Sequence, residues 1–259
     1  MIEYGFSYSD LEYFLLIFMR VASFIYVAPF FSMSNTPRNI RIVFSFFFAV
    51  LLYQVVPRVD VSYQTLIGYT ILVLKEVVVG LLIGFAANMC ATVVTFAGQI
   101  ADMEMGLSMA SLFDPTTKET STITGIYYNY MILLMMTISG LHRYLIQALT
   151  ETFSLIPISG AILNSDALLS SMIEFLSNYI LIGFRICLPV FAVMLILNAV
   201  LGILAKVSPQ LNMFAVGIQM KVIVGLCVLF LTTVMLPDAA DLIYMQMKRI
   251  VVSFVEAMR

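Results

Sequence analysis

Five ionisable side chains sit inside runs that otherwise have the composition of membrane helix: Arg20, Lys75, Glu76, Arg185 and Lys221. A charge at mid-bilayer costs at least about 2.5–3.5 kcal/mol, so each of the five needs a partner or water. Neighbours on the same helix supply none. The residue four positions on is Phe24 from Arg20, Val79 from Lys75, Pro189 from Arg185 and Gly225 from Lys221. Lys75 and Glu76 are adjacent, leave a helix about 100° apart and do not face each other. Three readings stay open. The charges pair or snorkel among helices of this chain, they await carboxylates or carbonyls of other subunits, or they form a proton relay. The relay is the weakest, because it needs more than one buried acid or histidine.

Other chemistry has little to work with. His142 is the only histidine, and Cys90, Cys187 and Cys227 are scattered through apolar runs, where they read as small core hydrophobes. A net charge of -2 gives no basic field for nucleic acid. There is no Gly-rich nucleotide loop and no Gly-x-Ser-x-Gly turn, so the sequence is read as non-enzymatic, without cofactor or metal. A small-molecule or proton-coupled transporter would fit poorly with a single acid inside the apolar runs.

One further stretch is chemically unusual. From Gly98 to Thr120 the chain reads GQIADMEMGLSMASLFDPTTKET. Gly98, Gly106 and Pro115 punctuate Met103, Met105 and Met109, with acids at Asp102, Glu104 and Asp114. A solvent loop would be more polar, and a spanning helix would exclude the acids. The expectation is irregular, apolar-lined backbone at membrane depth, tolerated only where protein buries it or where it lines a cavity. Its methionines read either as a deformable apolar seal or as ordinary packing.

The elements that must position these residues are apolar. The chain has 259 residues, 62% hydrophobic and 11% charged, far from the ~25% charged of a soluble domain. It is an all-α, multi-pass membrane protein. Six apolar stretches run Leu11–Phe31, Ile40–Val56, Leu66 to about Ile100, Ile123–Leu141, about Ser170 to Lys206, and Met213–Leu236. His142–Leu163 is moderately apolar and broken by Pro157 and Gly160. The tail from Asp238 reads as an amphipathic helix on a surface or a partner. MIEYGFSYSDLEY lacks the basic start of a signal peptide, so the first run is expected to be retained. Gly80 and Gly84 have small-xxx-small spacing.

Two of the stretches are too long for a plain span. About 35 residues make roughly 52 Å of helix against a hydrocarbon core of ~30 Å. Such helices break inside (at Gly80 and Gly84, or at Pro189), project from the bilayer, or are buried in a larger assembly. Arg38, Arg41, Lys118 and Lys206 would lie on one side of six alternating spans. Arg58, Arg143, Lys248, Arg249 and Arg259 would lie on the other, which gives no positive-inside orientation.

Three pieces in order carry a family resemblance: GQIADMEMGLSMASLFDP, SGLHRYLIQALTETFSLIPISG, and KVSPQLNMFAVGIQMKVIVG from Lys206 to Gly225. Together with RVASFIYVAPFFS and PRNIRI, they resemble the FliR/SctT family of type III export-gate subunits over nearly the whole chain. The resemblance implies long helical hairpins packed into a multi-subunit helical export-gate pore. It implies a FliP-like part over about residues 1–205, with a plug loop at 98–120, and a FliQ-like C-terminal hairpin over about 206–259. Expected partners are FliP-type and FliQ-type subunits, an FlhB-type switch protein, an FlhA-type export protein, unfolded flagellar substrates and membrane lipids. The place implied is the bacterial inner membrane, in the flagellar basal body.

The plug carried over from the family falls on Gly106, Leu107, Ser108, Met109 and Ala110, with Leu112 and Phe113. Asp102 and Glu104 depart from the family pattern. With Met103 and Met105 they are either the edge of the seal or its polar mouth. The second signature falls on Pro209, Gln210, Asn212, Phe214, Gly217 and Lys221, which the resemblance makes structural or assembly positions. The subunit of a virulence secretion system, which shares the architecture, is the alternative.

Overall fold

The computed structural model describes residues 8–32, 36–59, 63, 65–108, 122–208, 210 and 212–259, without the side chains of Met213 and Phe214. Among them every regular element is helical: α1 (Tyr8–Val27), α2 (Arg38–Val55), α3 (Leu66–Met105), α4 (Ile123–Ile138), α5 (Leu141–Leu155), α6 (Ser165–Val207), α7 (Met213–Thr232) and α8 (Leu236–Ala257). A 3-10 turn at Thr233–Met235 joins the last two. Among the described residues four helical runs are long and apolar enough to cross a membrane, and α4 with α5, taken as one broken span, makes a fifth candidate. The chain is an all-α membrane protein.

Several boundaries depart from the sequence reading. α3 runs on past Ile100 to Met105, and neither α3 (40 residues) nor α6 (43 residues) leaves the helix at Gly80, Gly84 or Pro189. At 1.5 Å per residue they reach about 60 Å and 65 Å. Internal breaks therefore do not relieve their length, and projection from the bilayer or burial in an assembly remains. The break expected near Leu236 is only the 3-10 turn, because Pro237 falls in the first turn of α8, where a missing N–H costs little.

The chain divides into two units. The first comprises residues up to Cys90, Gly140–Phe175 and Met245–Arg259. α1 and α2 form a hairpin in which Phe14 and Phe18 meet Phe46 edge-on. α3 crosses α1 at Gly80 and Gly84. A Cβ on Gly80 would strike the Arg20 carbonyl and Ser23 Oγ, and one on Gly84 would lie 2.9 Å from the Phe24 carbonyl oxygen. The small-xxx-small spacing is thus a backbone-to-backbone crossing. The tail does not wait for a surface or a partner, since Met247, Ile250, Val251 and Phe254 are buried in this unit. The carbonyls of Ala257 and Met258 accept from Asn164 and Ile162 N–H at 3.2 and 3.1 Å, satisfying orphan acceptors at the helix end.

The second unit comprises Ala91–Ser139 and Leu176–Tyr244. Its helices interlock through aromatic and thioether side chains seated on glycines. The Phe96 ring lies where a Gly183 side chain would be, and Met105 and Met194 lie against Gly225. Tyr179 adds a ring contact to Phe96 and a hydrogen bond to the Thr92 carbonyl at 3.2 Å.

Candidate functional site

The last two turns of α3 hold the start of the unusual stretch. Gly98–Met105 is helix rather than irregular backbone, and the reason is that its acid is satisfied. Asp102 is fully buried, and its two carboxylate oxygens accept from Thr124 N–H at 2.9 Å and Thr124 Oγ1 at 2.5 Å. Thr124 lies in the first turn of α4, whose amides have no partner within the helix. The carboxylate also suits the positive end of α4's dipole. Thr122 caps the same turn, accepting from Gly125 N–H at 3.3 Å.

One turn before Asp102, Gly98 lets the backbones touch. A Cβ there would collide with Gly125 Cα and with the Gly125 nitrogen. Gly98 and Asp102 therefore act together, one removing bulk and one supplying a cap, to fix the start of α4 against the end of α3. Asp102 thus anchors the start of α4 to the end of α3.

α3 then stops at Gly106, whose φ of +80° lies in the left-handed region. Its N–H donates to the Met103 carbonyl at 3.3 Å, an ending that favours glycine because a Cβ costs energy there. Met105 is buried, its thioether against Gly225. Met103 is 69% exposed, Glu104 is half-buried, and Gln99, Leu107 and Ser108 are half-buried. The rest of the expected plug (Met109, Ala110, Leu112 and Phe113), with Asp114 and Pro115, lies outside the described residues.

In the first unit, Arg20 and Glu76 meet. Both are fully buried, with Nε to Oε2 at 2.5 Å. Arg20 Nη1 donates to the carbonyls of Ile156 at 3.0 Å and Thr152 at 3.3 Å, and its guanidinium lies 4.4 Å from the centre of the Phe153 ring. Glu76 Oε1 accepts from Ser159 N–H at 3.1 Å. The pair thus ties α1 to α3 and to the carboxyl end of α5, whose dipole favours a cation. Of the readings left open for these two charges, pairing within the chain is the one the structure realises.

No ion pair is made by the other three among the described residues. Lys75 and Lys221 are half-buried, and Arg185 is exposed beside a cavity of about 150 Å³ that Asp238 also lines. In the second signature, Asn212 caps α7 by accepting from Ala215 N–H at 3.4 Å. Gly217 is buried, with the Leu201 side chain 3.7 Å from where its Cβ would stand, and Gln210 is exposed. Pro209 and the Phe214 side chain lie outside the described residues. Sequence reasoning missed Thr122, Thr124, Gly125 and Gly225 as partners of the unusual stretch. The Ser-Thr-Ile-Thr run ahead of an apolar segment was the available capping signal.

This geometry holds helices to one another. Residues 11–247 match the model of a family described as bacterial export proteins, family 1. The chain belongs to that family. Its relatives in this family include the flagellar biosynthetic protein FliR of Bacillus subtilis (strain 168), 32% identical over 83% of this chain and 84% of that protein. FliR of Buchnera aphidicola subsp. Acyrthosiphon pisum is 30% identical over 85% and 84%. FliR of Escherichia coli (strain K12) is 29% identical over 80% and 79%. The export family and the FliR resemblance read from the three ordered sequence pieces agree.

Proposed function

We propose that this chain is a non-enzymatic subunit of the flagellar type III protein export gate, in the bacterial inner membrane at the flagellar basal body. The observation that carries the reading is similarity to proteins named FliR along most of both chains, at 30–32% identity in two of them. The chain forms part of a conduit for unfolded flagellar proteins, together with FliP-type and FliQ-type subunits, and works with an FlhB-type switch protein and an FlhA-type export protein. Residues to about 205 are its FliP-like part, and those from about 206 its FliQ-like hairpin. Helices of some 60 Å and the cations Lys75, Arg185 and Lys221 within apolar helices support placement in an assembly.

The segment from Gly106 through Ala110, with Leu112 and Phe113, is the plug of the closed pore. What supports this is how firmly the chain is held on either side. It departs at the left-handed Gly106 and returns at Thr122, where Asp102 and Gly98 pin α4. A seal that must open yet not leak needs ends that stay put. Its energy comes from other components.

Co-expression with FliP-type and FliQ-type chains followed by purification tests the assembly. A single hetero-oligomer is expected, and a monodisperse chain that ignores both would overturn the reading. The virulence-system alternative predicts a deletion strain that remains motile but loses effector secretion. The proposed role predicts loss of motility.

A further inference from the structure

Arg185 and Asp238 line the same cavity of about 150 Å³ in the second unit and are the charged residues on its wall. Both are exposed, and among the described residues neither makes an ion pair. The wall between them is largely apolar, with Ile186, Pro189, Ala239 and Leu242. Opposite charges in such a setting attract more strongly than in bulk water. The hydroxyl of Thr232 on the same wall is committed elsewhere, donating to the Leu229 carbonyl at 3.0 Å.

The elements on both sides are able to yield. On α6, Arg185 and Pro189 stand one turn apart, and Pro189 lacks the N–H that would meet the Arg185 carbonyl. The helix runs through, but the turn that carries Arg185 is one hydrogen bond short, and helices bend at such turns. Across the cavity, Asp238 lies in the first turn of α8, just past the 3-10 turn Thr233–Met235. The α7 end of that corner is tied down. Thr233 Oγ1 donates to the Leu229 carbonyl at 3.1 Å, and the Tyr127 hydroxyl lies 2.8 Å from it. Beyond that tie Val234 and Met235 are 82% and 56% exposed.

We propose that residues 234–242 form a strap that closes on α6, with Asp238 pairing to Arg185 across the cavity. Closure brings Ala239 and Leu242 against Ile186 and Pro189, so apolar burial and charge act in the same direction. The structure described above is the open form of this two-state element. The strap depends neither on the proposed plug nor on the export reading. It removes Arg185 from the cations that an assembly must neutralise and leaves Lys75 and Lys221.

Spin labels on the full-length chain read the closure directly. Leu188→Cys on α6 and Asp241→Cys on α8 are exposed and off the cavity wall, and Cys227→Ser removes the exposed native thiol. Pulsed dipolar spectroscopy of the labelled chain in detergent should give a short and a long distance. The ratio of short to long should fall about fivefold in Arg185→Gln or Asp238→Asn, the upper end for a partly exposed ion pair. Arg185→Lys should keep most of the short population, and the swap Arg185→Asp/Asp238→Arg should restore it. High salt should deplete the short population without any charge substitution and leave Asp238→Asn unchanged.

A single long distance with both native charges in place would overturn the strap. So would a ratio that neither neutral variant moves, a swap no better than the single variants, or the same salt response with and without the Asp238 charge.

Discussion

Arg20 and Glu76 are 56 positions apart in sequence and 2.5 Å apart in space. Removing one partner of a buried ion pair leaves an uncompensated charge, which costs about 3–5 kcal/mol. Glu76→Ala should therefore lower the thermal midpoint in detergent sharply, and Arg20→Met/Glu76→Leu together should cost less than Glu76→Ala alone. An unchanged midpoint in Glu76→Ala would show that the pair supports nothing. Both charges were legible in the sequence, and so was the lack of any partner one turn along. Their pairing was not, because it depends on where α1 crosses α3. That crossing is set by Gly80 and Gly84, which touch the α1 backbone beside Arg20 and Phe24. Gly106 is a simpler case. With φ at +80° and no atom of the described residues within 4 Å of where its Cβ would stand, Gly106→Ala should cost backbone strain of about 1–2 kcal/mol. Gly106→Asn should cost less, since Asn tolerates that conformation, and paired melts of the two variants check the order.

At the scale of elements, the junction of α3 with α4 is the part that positions the proposed plug, and its glycines differ in what they touch. A Cβ at Gly98 meets the backbone of Gly125, which cannot step aside. One at Gly225 meets the flexible thioether of Met105. Gly98→Ala should thus cost about 1–3 kcal/mol by overpacking, clearly more than Gly225→Ala, as read from thermal midpoints. Asp102→Ala leaves the Thr124 amide without its acceptor, at about 1–3 kcal/mol. Hydrogen exchange should quicken in the first turn of α4 and stay unchanged in α7; uniform quickening would mean that Asp102 supports the whole unit. The sequence marked Asp102 as out of place in an apolar helix. It could not show that the start of α4 folds back onto it, so the last two turns of α3 read as irregular. Composition did reveal the amphipathic stripe of α8, but not that the chain itself covers Met247, Ile250 and Phe254.

For the whole molecule, the legible part was class and family. A 62% apolar composition required membrane helices, and three signature pieces in order pointed to the export family that residues 11–247 match. Helices of 40 and 43 residues outrun a bilayer core of ~30 Å, so they either project from it or are buried in an assembly such as the proposed gate. The central claim joins that assembly to the Gly106–Ala110 plug, and one measurement reaches both. Cells carrying a deletion of Leu107–Ala110 are assayed for ion leakage across the inner membrane while the purified gate is checked for its full set of subunits. The account predicts an intact gate that leaks ions in its resting state. Unchanged leakage with failed assembly would contradict it and make the segment a packing element.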